Sequence, residues 1–281
     1  MAYFEDFLHF LPILFGTLLT FTRLLQDMSE LFKYEHLPDI GPLPSRKRLV
    51  VLTGAGISAE SGLPTFRDNK GLWKQHDARK LASAAGFQEN PQAVLDFYNH
   101  RRKQLLQVKP NHAHLLLAEL EKWHDVTIIT QNVDDLHERA GSTHVIHLHG
   151  ELTKVTSSKD RLNPNYIKDY PLDTPIRLGD KAADGSQLRP FIVWFGEYVY
   201  AMEVAMDYAE IADIFVVIGT SLKVYPAANL VDCAHPEVPR FIIDPNDLNI
   251  PNGYIHIKDS ATKRMEKLID KLVLNKTLYQ K

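Results

Sequence analysis

The side chains best suited to chemistry sit in short polar stretches that follow apolar runs. Gln131, Asn132 and Asp134, with Val133 between them, come directly after Val126–Thr130. Amides and a carboxylate at the carboxyl end of a buried strand stand where α/β sheets bind ligands. The plainer alternative is a helix cap, in which Asn132 or Asp134 satisfies the first amides of the next helix. His144, His147 and His149 follow close behind. In a strand, His147 and His149 share one face, which raises the question of a metal. No cysteine and no suitably spaced carboxylate completes a ligand set, so no metal is expected. His144 and His147 read as polar residues satisfied within the core. His149 ends the strand and precedes Gly150, which places it beside a ligand crevice.

The element that all of these serve is Val50–Asp68, where a β-branched apolar run stops at Gly54-Ala55-Gly56 and a helical stretch begins. Gly54 suits the tight turn and Gly56 a close approach of phosphate to the backbone. Ala59 stands where a third small residue lets helix pack on strand. The amides opening that helix would face a pyrophosphate. A dehydrogenase would add a second strand ending in an acid about 20 residues on, but Arg67–Ser83 is polar and irregular. Such a strand comes only at Phe241–Asp244, so the ribose partner is expected from the far end of the chain. There Asp244 would accept from a ribose hydroxyl and repel a 2′-phosphate, which points to NAD over NADP. Gly219-Thr220-Ser221 follows another apolar run, and its glycine and hydroxyls suit the adenosine side.

To hold these residues the chain alternates two kinds of element. Strands are predicted near Leu49–Thr53, Val126–Thr130, Val145–Leu148, Phe191–Trp194, Ile214–Ile218 and Phe241–Asp244. Helices are predicted at Pro91–Gln107, Ala113–Lys122, Asp134–Ala140, Val199–Glu210, Ala227–Cys233 and Thr262–Leu274. The alternation implies an α/β fold, a Rossmann-like doubly wound parallel sheet. Insertions at about 69–109 and 151–189 would form a smaller module beside it.

The 281 residues are 44% hydrophobic and 24% charged with a formal net charge of −3. That suits a globular chain with one sizeable domain and gives no support for nucleic-acid binding. The single cysteine, Cys233, excludes an internal disulfide and reads as an inert, half-buried helix position. Residues 1–46 do not share the later pattern and are expected to be an extension and linker before a domain at 47–281. Phe7–Leu25 is marginal against the roughly 20 apolar residues of a membrane span, and no basic residue precedes it as in a secretory signal. An unstructured extension ahead of Met28 is preferred over a partner-binding helix or a membrane contact through 1–25, and the expected location is cytoplasmic.

Val50–Asp68, extended through Ser58, Thr65, Phe66, Arg67 and Asp68, resembles the cofactor loop of the sirtuins, the NAD-dependent protein deacylases. Three further stretches match in order, and the resemblance runs from about Lys47 to Leu274. It implies that NAD is held by Gly54, Ala55, Gly56, Ser58, Glu60, Thr65, Phe66, Arg67 and Trp73 at one end. Gly219, Thr220, Ser221, Asp244 and Ala261 would hold the other. It implies that Gln131 and Asn132 contact the nicotinamide ribose, while Val133 and Asp134 read the carboxamide. His149 would be the catalytic base, working with Asn132 and Asp134, and Val193-Trp194-Phe195-Gly196-Glu197 would bind an acylated peptide by strand addition. The products implied are free lysine, nicotinamide and O-acyl-ADP-ribose. The alternative on the same fold is NAD glycohydrolysis or mono-ADP-ribosylation, which the peptide segment disfavours.

Two features refine the resemblance. Most sirtuins hold a structural zinc on two cysteine pairs, and Val155–Asp160 has none, so the module must be held by its own packing. Tyr98 and Arg101, three apart on a helix, otherwise part of a solvated basic run with Arg102 and Lys103, resemble the pair of sirtuins that remove succinyl and malonyl groups, the class III type. Ala82 matches a small residue that leaves room for the longer acid. Acylated lysines of proteins are the expected partners.

Overall fold

Four consecutive apolar residues, Leu49–Leu52, are each at most 1% exposed. A strand so buried needs cover on both faces and neighbours on both edges, which a central parallel strand has. In the computed structural model, which describes residues 46–65 and 78–265, β1 (Arg48–Thr53) takes that place. It pairs in parallel with β2 (Asp125–Thr130) on one side and β7 (Ile214–Ile218) on the other. The chain builds outward from β1 through β2 to β3 (Val145–His147). It then returns to β7 and builds the other way through β8 (Arg240–Ile243) to β9 (Ile255–Ile257). The six-stranded order β3-β2-β1-β7-β8-β9 therefore reverses between β1 and β7. A crevice opens at that switch, outside the carboxyl ends of the strands.

The predicted parallel strands near 49, 126, 145, 214 and 241 are all present. Phe191–Trp194 is not one of them. Its strand is β6 (Leu188–Ile192), antiparallel to β4 (Gly150–Ser157) in a second sheet of order β5-β4-β6, with β5 at Lys168–Asp169. β6 is an edge strand, where Pro190 costs little for its missing amide.

Helices follow local signals closely. α1 (Ala55–Ala59) starts at Gly54. After the short helices α2 (Ala78–Leu81) and α3 (Ala84–Glu89) comes α4 (Pro91–Gln107). Asn90 caps α4 by accepting from the Ala93 amide, and Pro91 opens its first turn. α5 (His112–Leu120) opens with a reciprocal cap between Asn111 and His114. α6 is Leu136–Ala140, α7 Met202–Glu210 and α8 Leu230–Cys233, preceded by a 3₁₀ turn at Ala227–Asn229. On one face of the large sheet, Val50, Leu52, Phe215, Val217 and Ile242 pack under Ala205, Ala209 and Leu230.

The small sheet is tied down by polar pins. Arg189 grips Glu197 with two bonds of 2.6 and 3.2 Å, and its guanidinium lies 3.2 Å from the centre of the Trp194 ring. At the far end of β4, the Ser157 hydroxyl donates to Asp184 at 2.7 Å, lies 2.9 Å from Ser186 and accepts the Asp160 amide. Arg102, at 0% exposure, donates to the carbonyls of Leu152, Tyr170 and Pro171. The alternative reading of Arg101–Lys103 as a solvated basic face thus does not hold for Arg102. Its carbonyl acceptors, Thr174 O among them, lie 50 to 72 residues away in the chain.

The readings of residues 1–45, Phe66, Arg67, Trp73 and most of Thr262–Leu274 fall outside the described residues. Among those described, no helix is long and apolar enough to cross a membrane. No group of three or more His, Cys, Asp or Glu is arranged to hold a metal ion.

Candidate functional site

A cleft of about 370 Å³ opens at the switch between β1 and β7 and extends to the small sheet. Its floor is made where two loops cross. The Gly54 amide donates to Ile218 O and the Gly56 amide to Gly219 O. A Cβ on Gly56 would stand 2.6 Å from Gly219 Cα, and one on Gly219, whose φ is +62°, 2.4 Å from the Ile57 nitrogen. Gly56 is therefore demanded by the protein's own second loop, a reason the sequence did not suggest. Gly54, as the N-cap, makes no side-chain cap for α1, and the Gly56 and Ile57 amides bond Gly219 O and Gly54 O, so only part of the helix opening can serve a ligand.

Ala55, Glu60 and Thr65 line the cleft from the first loop, and Thr220, Ser221, Asp244 and Ala261 from the far strands. Glu60 faces two ways. Its carboxylate accepts from Ser260 Oγ, the Thr262 amide and Thr262 Oγ1, so it also ties the first loop to the segment carrying Ala261. Asp244 accepts the Asn246 amide at 2.9 Å and its side-chain nitrogen at 3.0 Å.

Gln131, Asn132, Val133 and His149 form the inner wall. Gln131 reaches across to Thr220 Oγ1 at 3.0 Å. Its carbonyl lies 3.0 Å from His149 Nδ1, so Nδ1 carries the proton and Nε2 keeps its lone pair. Burial lowers the His149 pKa, only partly offset by that bond, and the ring is neutral at pH 7. The neighbouring His147 behaves differently. Burial pulls its pKa down, but the 2.7 Å contact to Glu138 outweighs this and leaves it raised, while Nδ1 meets Asn132 O. His144 pairs with Thr127 Oγ1 and packs edge-on against Tyr208.

Ser58 and Asp134 do not line the cleft but lie buried beneath it. Asn132 Nδ2 donates to Ser58 Oγ at 3.1 Å and to Gly54 O at 3.2 Å, and Ser58 Oγ donates to Asp134 Oδ2 at 3.2 Å. Burial raises the Asp134 pKa against the bonds from the Leu136 amide and Ser58. The network continues where sequence reasoning stopped. His114 Nε2 is 3.5 Å from Ser58 Oγ, its ring packs 4.9 Å from that of His137, and His137 reaches Thr53 Oγ1, which donates to Thr130. The capping pattern Asn111-x-x-His114 was the available signal for it.

The outer wall comes from α4 and the small sheet. Ala82, Tyr98 and Arg101 line it with Val193, Trp194, Phe195, Gly196 and Glu197. Burial pushes the Tyr98 pKa up to about 12, so the phenol stays a donor. Desolvation lowers Arg101's pKa, opposed by the charges of Tyr98 and Asp134. Glu197 borders the cleft, yet its oxygens are taken by Arg189 and the Trp194 amide. The amides of Val193 and Phe195 are likewise bonded, to His149 O and Ala82 O. A peptide strand added here would have to pair through other backbone groups. Tyr225, 70% exposed on the rim, was not foreseen.

Comparison with known proteins gives a consistent result. Residues 54–226 match the model of the Sir2 family. The chain is 56% identical over 230 residues to an NAD-dependent protein deacylase of Bacteroides thetaiotaomicron, covering 81% of this chain and 98% of that one. A Sir2 homologue mutant solved with ADP-ribose superposes with a TM-score of 0.74 at 37% identity, over 83% of this chain and 94% of the other. A Sir2 homologue solved with NAD gives 0.72 at 38% identity, over 82% and 90%.

Proposed function

The chain belongs to the Sir2 family and is an NAD-dependent protein deacylase, and we propose that it removes succinyl and malonyl as well as acetyl groups from protein lysines. The observation that carries the finer reading is the pair Tyr98 and Arg101 on the outer wall. The guanidinium offers donors only, the neutral phenol beside it can donate as well, and desolvation works against the charge of Arg101. A carboxylate at the end of an acyl chain would bring an acceptor of opposite charge, taken by the arginine as a fork. Ala82 keeps that wall open with only a methyl group.

The crossing glycine loops, Gln131, Asn132, Thr220, Ser221 and Asp244 form a donor and acceptor set suited to a dinucleotide. Bound NAD supplies an electrophilic ribose carbon and the hydroxyl that carries the acyl group away. His149 is the general base in this reading. Gln131 O fixes its tautomer, and burial keeps Nε2 unprotonated at neutral pH. Ser58 holds Asp134 in place by donating to its carboxylate, and Asn132 fixes Ser58 by donating to its hydroxyl. Glu197 positions the Trp194 backbone instead of touching substrate.

The test is to incubate the protein with NAD and matched acetyl- and succinyl-lysine peptides, and to weigh the products. Arg101→Met should raise the KM for the succinyl peptide by an amount fitting a charge-assisted contact of about 2–5 kcal/mol and spare the acetyl peptide. Equal loss on both peptides would make Arg101 structural. No turnover of the succinyl peptide by the wild type would end the acid-acyl reading.

A further inference from the structure

Two neighbouring arginines on α4 face different parts of the molecule. Tyr98 and Arg101 line the cleft. Asn99 and Arg102, each one residue on and about 100° further round the helix, bind the small sheet and the loop that follows it. Asn99 Nδ2 donates to Ile176 O at 2.8 Å, and the Ile176 amide donates back to Asn99 Oδ1 at 2.9 Å. Arg102 donates to Leu152 O, to Tyr170 O at 3.2 Å and to Pro171 O at 2.6 Å. Its guanidinium stands 5.2 Å from the Tyr170 ring centre.

Arg102 is an expensive way to fill that space. It is 0% exposed, its Nε has no hydrogen-bond partner, and its acceptors are main-chain carbonyls. A buried cation held on carbonyls, with the Asp173 carboxylate acting on it through space, is harder to accommodate than an apolar side chain of similar size. What the guanidinium adds is direction, since its planar fork binds the carbonyls of Leu152, Tyr170, Pro171 and Thr174 only in one orientation of α4.

We propose that Asn99 and Arg102 form a clasp that sets the rotation and height of α4, and so position Tyr98 and Arg101 to grip an acid acyl group. The inference rests on the reading of Arg101 as the carboxylate's partner. Asn99 and Arg102 are positioning residues, because neither lines the cleft. A small rotation of α4 moves the Arg101 fork away from a carboxylate while leaving room for an acetyl group, so the clasp governs acid recognition selectively.

The experiment compares steady-state constants for acetyl- and succinyl-lysine peptides at saturating NAD. The proteins are the wild type, Arg101→Met, Arg102→Met, Arg102→Lys and Asn99→Ala. Arg102→Met is expected to raise the succinyl KM on the order of 10-fold to 10²-fold, the scale of a misplacement near 1 Å. Its acetyl constants should stay near wild type. Arg102→Lys should recover part of the loss, and Asn99→Ala should show a smaller selective rise. Should Arg102→Met fail to fold, the uncharged Asn99→Ala carries the same test. Parallel losses on both peptides, or an unchanged succinyl KM in every clasp variant, would overturn the clasp. If Arg101→Met is selective and the clasp variants are not, only the clasp falls. A wild type that does not turn over the succinyl peptide removes the reading beneath it as well.

Discussion

The two sheets that meet at the cleft are stabilised in different ways. In the large sheet β1, β7 and β8 are nearly continuous apolar runs, at 0–1% exposure beyond the opening Arg48 and Arg240, packed under helices. The small one packs Leu152, Val155, Ile192 and Trp194 against α4 and its neighbours and adds discrete polar fastenings: Arg102 on carbonyls, Arg189 and Arg161 on Glu197, and Ser157 between Asp184 and Ser186. Apolar burial tolerates many sequences so long as volume is kept. A buried fastening demands both partners, because removing one leaves the other desolvated. The large sheet thus rests on redundant packing, and the small one adds to its packing a few contacts that cannot be replaced singly.

The largest effect expected on the first side is catalytic. His149→Ala should lower turnover by about 10²–10⁴ while the fold and NAD binding persist. Near wild-type turnover with intact circular dichroism would remove the general-base role. On the other side, Glu197→Leu strands the Arg189 guanidinium, which is 2% exposed. Breaking such a buried pair costs about 3–5 kcal/mol, read as a drop in the urea midpoint. A loss below about 1 kcal/mol, the range of surface pairs, would show that the small sheet is also held mainly by packing.

Acid should find the weak point of the large sheet first. Burial depresses the pKa of His114 to about 4 and lowers His137 and His149 as well. A histidine kept neutral in the fold contributes stability above its unfolded pKa near 6.5, and loses it as pH falls toward the folded value. Each such group contributes a slope of up to about 1.4 kcal/mol per pH unit. Asp134, whose pKa burial raises, works in the opposite sense and offsets part of this. The Asp184 carboxylate, held below its ordinary value by Ser157, titrates lower still. Stability measured from pH 7 to 4.5 should therefore decline. A flat profile would mean that the histidine cluster opens to solvent in the native state. The smallest effect is a null one: chelators should leave deacylation unchanged, because the fastenings of the small sheet are protein groups. Stoichiometric zinc by elemental analysis, or activity lost to chelation, would reverse that.

How much of this could be read from the chain follows from the range of each interaction. α4 was legible to its ends because Asn90 and Pro91 announce its start locally. β1, β2 and β7 were legible because strands buried on both faces are unbroken apolar runs. β4 was missed because Gly150–Ser157 mixes glycine, charge and hydroxyls and its register shifts between Glu151 and Val155. β6 looked like another parallel strand because a short apolar run does not reveal its partner's direction. The cleft residues were gathered by resemblance and now lie around one cavity, except Ser58 and Asp134 beneath it and Phe66, Arg67 and Trp73 outside the described residues. What Arg102, Glu60 and His114 bind was hidden because their partners lie 50 or more residues away.

The crossing of the glycine loops bears on how tightly a nucleotide can be held. With Gly54 and Gly56 already bonded to Ile218 and Gly219, the floor has no backbone to reorganise when a ligand arrives. Little ordering entropy is then lost by the protein at this point, and most of the interaction energy there goes into affinity. Enlarging any one of these glycines would turn a receptor shaped in advance into one that must first rearrange, weakening binding without deleting a single contact to the ligand.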